Sequence, residues 1–203
     1  GGDIEFRLIQ RAADAEERAA LDTFGTVSHV ASLRAMAEVN RDSGPARRLL
    51  VDVKAVDGRY PLVGTVGLDP TWSLDKALAE NDGVFGAVAA PEFAGRLGLN
   101  LGDRFSIGAA RFELRAVIRS EPDRGGQGLG FGAEVMGTDN ALAATGLVRP
   151  GSLVRHSYRV VLDEATVLTP EQAADTIARD FPTSGFRART LADATPQART
   201  QIE

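Results

Sequence analysis

The segment from Ala89 to Arg119 reads AAPEFAGRLGLNLGDRFSIGAARFELRAVIR, and its punctuation sets the fold around it. Pro91 stands where a helix can begin, because a first-turn residue needs no backbone N–H. Phe93, Ala94 and Leu97 follow at helical spacing, and Gly98 supplies the left-handed residue that ends a helix. Leu99 and Leu101 lead into a turn at Gly102-Asp103. Phe105 and Ile107 alternate with polar or small residues, and Gly108-Ala109-Ala110 turns the chain back. Phe112, Leu114, Ala116 and Ile118 then alternate with Arg111, Glu113, Arg115 and Arg119. The pattern predicts helix, turn, strand, turn, strand, with one apolar face. It describes a packed α+β unit and contains no catalytic group.

The flanks extend this reading. Ile4, Phe6 and Leu8 form the apolar face of a first strand. Asp14 followed by Glu17 has the spacing of a capping box, opening a helix that carries Ala20, Leu21 and Phe24 and stops at Gly25. Val27–Val39 and Leu49–Val56 read as strands either side of a turn at Asn40–Pro45. Tyr60-Pro61 breaks the pattern. Beyond it lie a short strand at Leu62–Leu68, a short helix at Leu74–Ala79 and a strand at Val84–Val88. After the central segment, Thr138 caps a helix that Gly146 ends. Val154, His156, Tyr158, Val160 and Leu162 share a face of a long strand. Thr169-Pro170-Glu171-Gln172 is a strong helix start. Phe186, Ala188 and Thr190 give a last strand, and Thr195-Pro196 starts a terminal helix. The expected class is α+β in two parts. One is a discontinuous unit, residues 1–58 and 134–203; the other is a smaller, mostly-β insertion, residues 59–133.

Composition excludes several function classes. A net charge of −5 gives no general pull towards nucleic acid or anionic lipid. The absence of cysteine removes disulfides, zinc-thiolate sites and thiol nucleophiles. His29 and His156 both sit in strand-like apolar surroundings, which reads as hydrogen-bonded, half-buried histidine; a histidine metal site needs further ligands at fixed spacing. No Gly-x-Ser-x-Gly elbow occurs. Glu16-Glu17 lies at a helix start, where negative charge is favoured, and Asp163-Glu164 at a strand end. Trp72, beside Pro70, reads as a cap over the core. These residues give no catalytic, cofactor or metal site.

Two features leave room for contact with a partner. Arg111, Arg115 and Arg119 fall on the polar side of one predicted strand, either as a solvated face or as contacts for a partner or lipid head group. Arginine binds phosphate and carboxylate bidentately. The stretch Glu121–Gly132, EPDRGGQGLGFG, is rich in glycine and lacks the Gly-Lys-Ser/Thr of a phosphate-binding loop. It reads as a mobile connection, with Gly126 and Phe131 as candidate partner or lipid contacts.

The order of these motifs resembles a known family. A short helix ending Leu-Gly-Leu, then Gly-Asp, then an amphipathic hairpin is similar to the extracytoplasmic core domain of MacB/FtsX/LolE-type ABC transporter permeases. Gly2–Arg7 (GDIEFR), Val53–Gly64 (VKAVDGRYPLVG) and Ala144–Val154 (ATGLVRPGSLV) resemble its YbbP-like branch. The resemblance implies a porter-like βαβ subdomain interrupted by a smaller, sabre-like β subdomain, inserted between two transmembrane helices of an inner-membrane protein and exposed to the periplasm. It implies a cytoplasmic ABC ATPase as partner and a periplasmic esterase-type protein as a second. The domain would transmit ATP-driven motion to export or extract a hydrophobic, lipid-like compound, with no catalysis and no cofactor of its own. No apolar run in the chain reaches the ~20 residues that cross a bilayer, and no signal peptide is visible. Alone this suggests a cytosolic protein; with the resemblance it suggests an excised segment of a membrane protein. A free-standing secreted ligand- or glycan-binding module is the alternative from another class, and a soluble hydrolase the third.

Overall fold

A computed structural model of the 203-residue chain describes residues 2–40, 45–122 and 133–190. In chain order the elements are β1 (Ile4–Ile9), α1 (Ala15–Asp22), β2 (Gly25–Val39), β3 (Arg47–Val56), β4 (Gly67–Asp69), α2 (Leu74–Leu78), β5 (Glu80–Asn81), β6 (Val84–Ala89), α3 (Pro91–Leu97), β7 (Arg104–Ile107), β8 (Ala110–Ser120), β9 (Ala133–Thr138), α4 (Asp139–Ala144), β10 (Arg155–Leu162), α5 (Pro170–Asp180) and β11 (Arg187–Thr190). The class is α+β, as expected. Among the described residues, no helix is long and apolar enough to cross a membrane. The terminal helix expected after Thr195 lies outside the described residues.

Local chemistry fixes the helix ends. Asp14 accepts the Glu17 N–H at 2.9 Å, while the Glu17 carboxylate accepts the Asp14 N–H at 3.0 Å. Thr169 and Gln172 repeat the arrangement at the start of α5. Each such cap satisfies backbone donors that a helix start otherwise leaves open, and contributes about 1 kcal/mol. Gly98 ends α3 with φ 67°, in the left-handed region. The strand expected over Leu62–Leu68 shrinks to Gly67–Asp69.

The strands form one sheet in the order β11-β1-β10-β2-β3-β9-β6-β8-β4, with β5 added to β6. The 15 residues of β2 let it serve two neighbourhoods. Gly25–Ser32 pair with β10, while Ala37 and Glu38 pair with Ile107 and Ser106 of β7. Because β7 also pairs with β8, six strands close into a ring: β2, β3, β9, β6, β8 and β7. Two joints of that ring are short. One is Ala37↔Ile107 and Glu38↔Ser106; the other is Val88↔Met136 and Ala89↔Val135. Between them lie two three-stranded halves, β2/β3/β9 and β6/β8/β7. The span 59–133 supplies the second half and the flanking spans the first, yet both fill one interior.

That interior is apolar. Val51, Val53, Ala87, Phe105, Phe112, Leu114 and Val135 point into the ring, and α3 closes it with Phe93 and Leu97. Phe105 stacks on Phe112 at 5.4 Å and meets Phe93 edge-on at 4.9 Å. A second cluster lies under α1 and α5, where Phe6, Leu21, Tyr158 and Ile177 meet. A third joins α2 to Val30, Val88, Ala116, Ile118 and Met136.

One strand contradicts the simple alternation. Phe112 and Leu114 face the ring interior, but Ala116 and Ile118 belong to the cluster under α2. The pairing with β6 slips between Ala87↔Leu114 and Val88↔Ala116, so Arg115 is an extra residue on β8. A bulge of this kind reverses the facing of every residue after it. The expected single apolar face of β8 is therefore two half-faces.

Gly86 lies beside this bulge. A Cβ there would stand 2.0 Å from the Ala77 carbonyl oxygen and 2.6 Å from a terminal nitrogen of Arg115. Gly86→Ala is expected to lower the unfolding free energy by about 2–3 kcal/mol in urea titration. Gly95→Ala, inside α3 with nothing within 4 Å of its added methyl, is expected to raise it by about 0.5–1 kcal/mol.

Candidate functional site

The arginines expected to share one polar face do not. Arg111 precedes the bulge and is exposed. Arg115 is only 7% exposed, so it is not available as a partner contact. Its Nη1 donates to the Ala79 carbonyl at 2.6 Å and to those of Lys76 and Ala77 at 3.5 Å; its Nε donates to Glu113 at 3.1 Å. Arg115 keeps the side of Glu113, and α2 covers that side, so the guanidinium meets the backbone at the helix's end. Arg119 follows the bulge and pairs with Asp69 of β4. Gly126 and Phe131 lie outside the described residues.

The two histidines come together. In the antiparallel pairing of β2 with β10, His29 stands opposite Tyr158 and His156 opposite Ala31. His29 Nε2 is 3.0 Å from His156 Nδ1, and His29 Nδ1 is 3.2 Å from an Asp139 oxygen at the start of α4. The rings lie nearly parallel, with centroids 5.3 Å apart, and His29 also stacks on Tyr158 at 4.8 Å. With Nδ1–H of His29 donating to the carboxylate, its Nε2 can accept from the Nδ1–H of His156, so one tautomer of each ring satisfies the chain. Burial, and then the neighbouring His29, push the His156 pKa down to about 4, with Asp139 opposing them. The Tyr158 hydroxyl accepts the Ala13 N–H at 2.8 Å. This relay ties β2, β10, α4 and the entry to α1.

Asp57 holds the loop after β3 in the same way. One oxygen accepts from Ser28 Oγ at 2.9 Å and the other from the His29 N–H at 2.7 Å. Asp57 and Asp139 line a cleft of about 420 Å³ beside α2. Across the sheet, Lys54 donates to Glu121 and to the Tyr60 hydroxyl, which itself donates to Glu121 at 2.6 Å. Burial raises the Glu121 pKa, but the Lys54 ammonium and the hydrogen bonds outweigh it and hold the carboxyl ionised; burial pushes the Tyr60 hydroxyl up. Among the described residues no group of three or more histidine and carboxylate side chains is placed to hold a metal ion. These polar clusters are internal ties.

No protein-family model matches the sequence. Over 110 residues the chain is 31% identical to the uncharacterized ABC transporter permease YbbP of Escherichia coli (strain K12), an alignment that covers 54% of this chain and 13% of that protein. The chain thus spans a small part of the curated relative it matches. Its fold is shared along most of its length with the extracellular domain of the noncanonic ABC-type transporter YknZ from Gram-positive bacteria: TM-score 0.57, 13% identity, 92% of this chain and 100% of that one. The chain has the fold of an ABC-permease extracytoplasmic domain. The periplasmic region of MacB from Actinobacillus actinomycetemcomitans shares this MacB-type fold as well, with a TM-score of 0.55, 10% identity, and 93% and 88% of the two chains covered. The histidine relay, the Asp57 clamp and the Lys54 cluster thus sit in a fold that those proteins carry outside the membrane.

The relay has a pH signature. An unfolded histidine binds its proton near pH 6.5, whereas folded His156 resists until about pH 4. Falling pH therefore favours the unfolded chain throughout that interval, and the contribution of this residue is complete above it. Stability is expected to drop by up to about 3 kcal/mol between pH 6.5 and 4 from this group. Urea titrations at pH 7 and pH 4.5 are expected to show a smaller difference for His156→Gln than for the unaltered chain.

Proposed function

We propose that this chain is the non-catalytic extracytoplasmic domain of a YbbP-like ABC transporter permease. In this reading it transmits motion from a cytoplasmic ATPase to export or extract a hydrophobic, lipid-like compound. The observation that carries the proposal is the agreement of two comparisons. A segment of just over half the chain is related in sequence to an ABC transporter permease, and over nine-tenths of the chain takes the fold of extracellular or periplasmic domains of such transporters. A periplasmic esterase-type protein is the second partner in this reading, and Arg111 and Arg119 are its remaining candidates for partner or lipid contact.

The physical build suits that role. The polar clusters are spent on cross-linking strands and helices. Motion imposed at one place is carried by packed elements rather than by a substrate path through the interior.

The absence of cysteine gives a clean test. Val167 lies in the loop between β10 and α5 and is 96% exposed. Val167→Cys, in the parent permease freed of other reactive cysteines, is expected to react with a membrane-impermeant maleimide in cells with a permeabilised outer membrane and an intact inner membrane. Labelling only after the inner membrane is broken would place the domain on the cytoplasmic side and end the proposal.

A further inference from the structure

A groove on the polar side of the sheet is a large surface feature that the proposed function leaves unused. Ile4, Phe6 and Leu8 point into the core under α1 and α5, so Arg7 and Ile9 point the other way. On that side a groove of about 1430 Å³ runs across β1, β10, β2 and β3. Arg7, Arg34, Lys54, Arg155, Arg159 and Arg189 line it against four carboxylates, with Glu5 beside them pairing both Arg7 and Arg159; one cation is left in excess, in a chain whose net charge is −5.

Several of these cations have partners within the sheet. Arg34 pairs with Asp52 at 3.1 Å, Lys54 with Glu121, and Arg7 with Glu5 at 2.5 Å. Arg155 is different: it is exposed, and among the described residues no ion pair involves it. It stands in register between Ile9 and Ser32. Ile9 is 57% exposed and Leu153, two residues before Arg155, is 75% exposed. Met36, 48% exposed, lines the groove further along β2. It lies four residues beyond Ser32, roughly 13 Å along the strand direction, with Arg34 between them.

This spacing chooses between two kinds of anionic occupant. An acyl chain wants an unbroken apolar track, and here guanidinium groups interrupt it. An extended peptide shows side chains on one face about every 7 Å, so apolar and acidic residues can alternate along the groove. We propose that this face docks an extended, acidic segment of a partner protein, with a carboxylate on Arg155 and apolar side chains on Ile9, Leu153 and Met36.

The test titrates the 203-residue chain with a fluorescent synthetic peptide repeating Leu-Ser-Glu-Ser. The same peptide with Lys for Glu, and phosphatidylglycerol vesicles, serve as comparisons. The Glu peptide is expected to bind saturably and to weaken several-fold as salt rises. Arg155→Glu is expected to weaken it about tenfold, and Leu153→Asp several-fold. Arg155→Ala, which removes the charge without reversing it, is expected to weaken it less than Arg155→Glu, with melting temperatures of all variants recorded. No saturable binding, equal binding of the Lys peptide, or indifference to both Arg155 variants would overturn the proposal. So would Arg155-dependent capture of the vesicles without capture of the peptide.

Discussion

A guanidinium removed from water is costly unless its N–H groups find acceptors. Arg115 finds them in the backbone carbonyls of Lys76, Ala77 and Ala79, at the end of α2, and in Glu113. Those carbonyls are among the acceptors that a helix end leaves open, so each side satisfies the other. The arrangement has two requirements. β8 must carry one residue more than β6 beside it, and the neighbouring position on β6 must lack a side chain, as Gly86 does. Given both, Phe112 and Leu114 stay inside the ring while Ala116 and Ile118 turn to α2. One strand then serves two cores, and the ring is joined to β4 and α2.

Much of the fold is legible in the sequence, because local chemistry determines it. Asp14 with Glu17, Thr169 with Gln172 and Gly98 each act within a few residues, and each lies where its spacing predicts. The bulge was not legible. Phe112, Leu114, Ala116 and Ile118 keep an unbroken alternation because both sides of β8 are covered, one by the ring interior and the other by α2. An apolar pattern is blind to a change of side when both sides are dry. The discordant feature was Arg115, a charge amid that pattern, and it reads equally well as part of a solvated face. Ring closure was hidden for another reason: β7 is four residues long and pairs with β2 nearly seventy residues away.

The polar clusters divide in the same way. Half-buried, hydrogen-bonded histidines were expected from the apolar company of His29 and His156. Their meeting with each other and with Asp139 depends on the register of β2 against β10, which no local signal encodes. The cationic groove was also missed. Its residues come from the polar positions of strands far apart in sequence, and each taken alone reads as an ordinary polar strand position.

The two short joints of the ring have a mechanical consequence. Within each half the ladders are long, from Val30↔Val56 to Val39↔Arg47 in one and along β6, β8 and β7, past the bulge at Arg115, in the other. Between the strands of the two halves, ladder pairing among the described residues is limited to two brief clasps, with the Ala90 and Ala109 N–H groups donating to the Glu134 and Thr145 carbonyls nearby, and the rest of the contact is the shared apolar filling. Hydrogen bonds have preferred directions, whereas hydrophobic cohesion has none. Torque on the domain would thus meet stiff resistance within a half and softer resistance along the two clasp lines, which run like the hinge and latch of a locket.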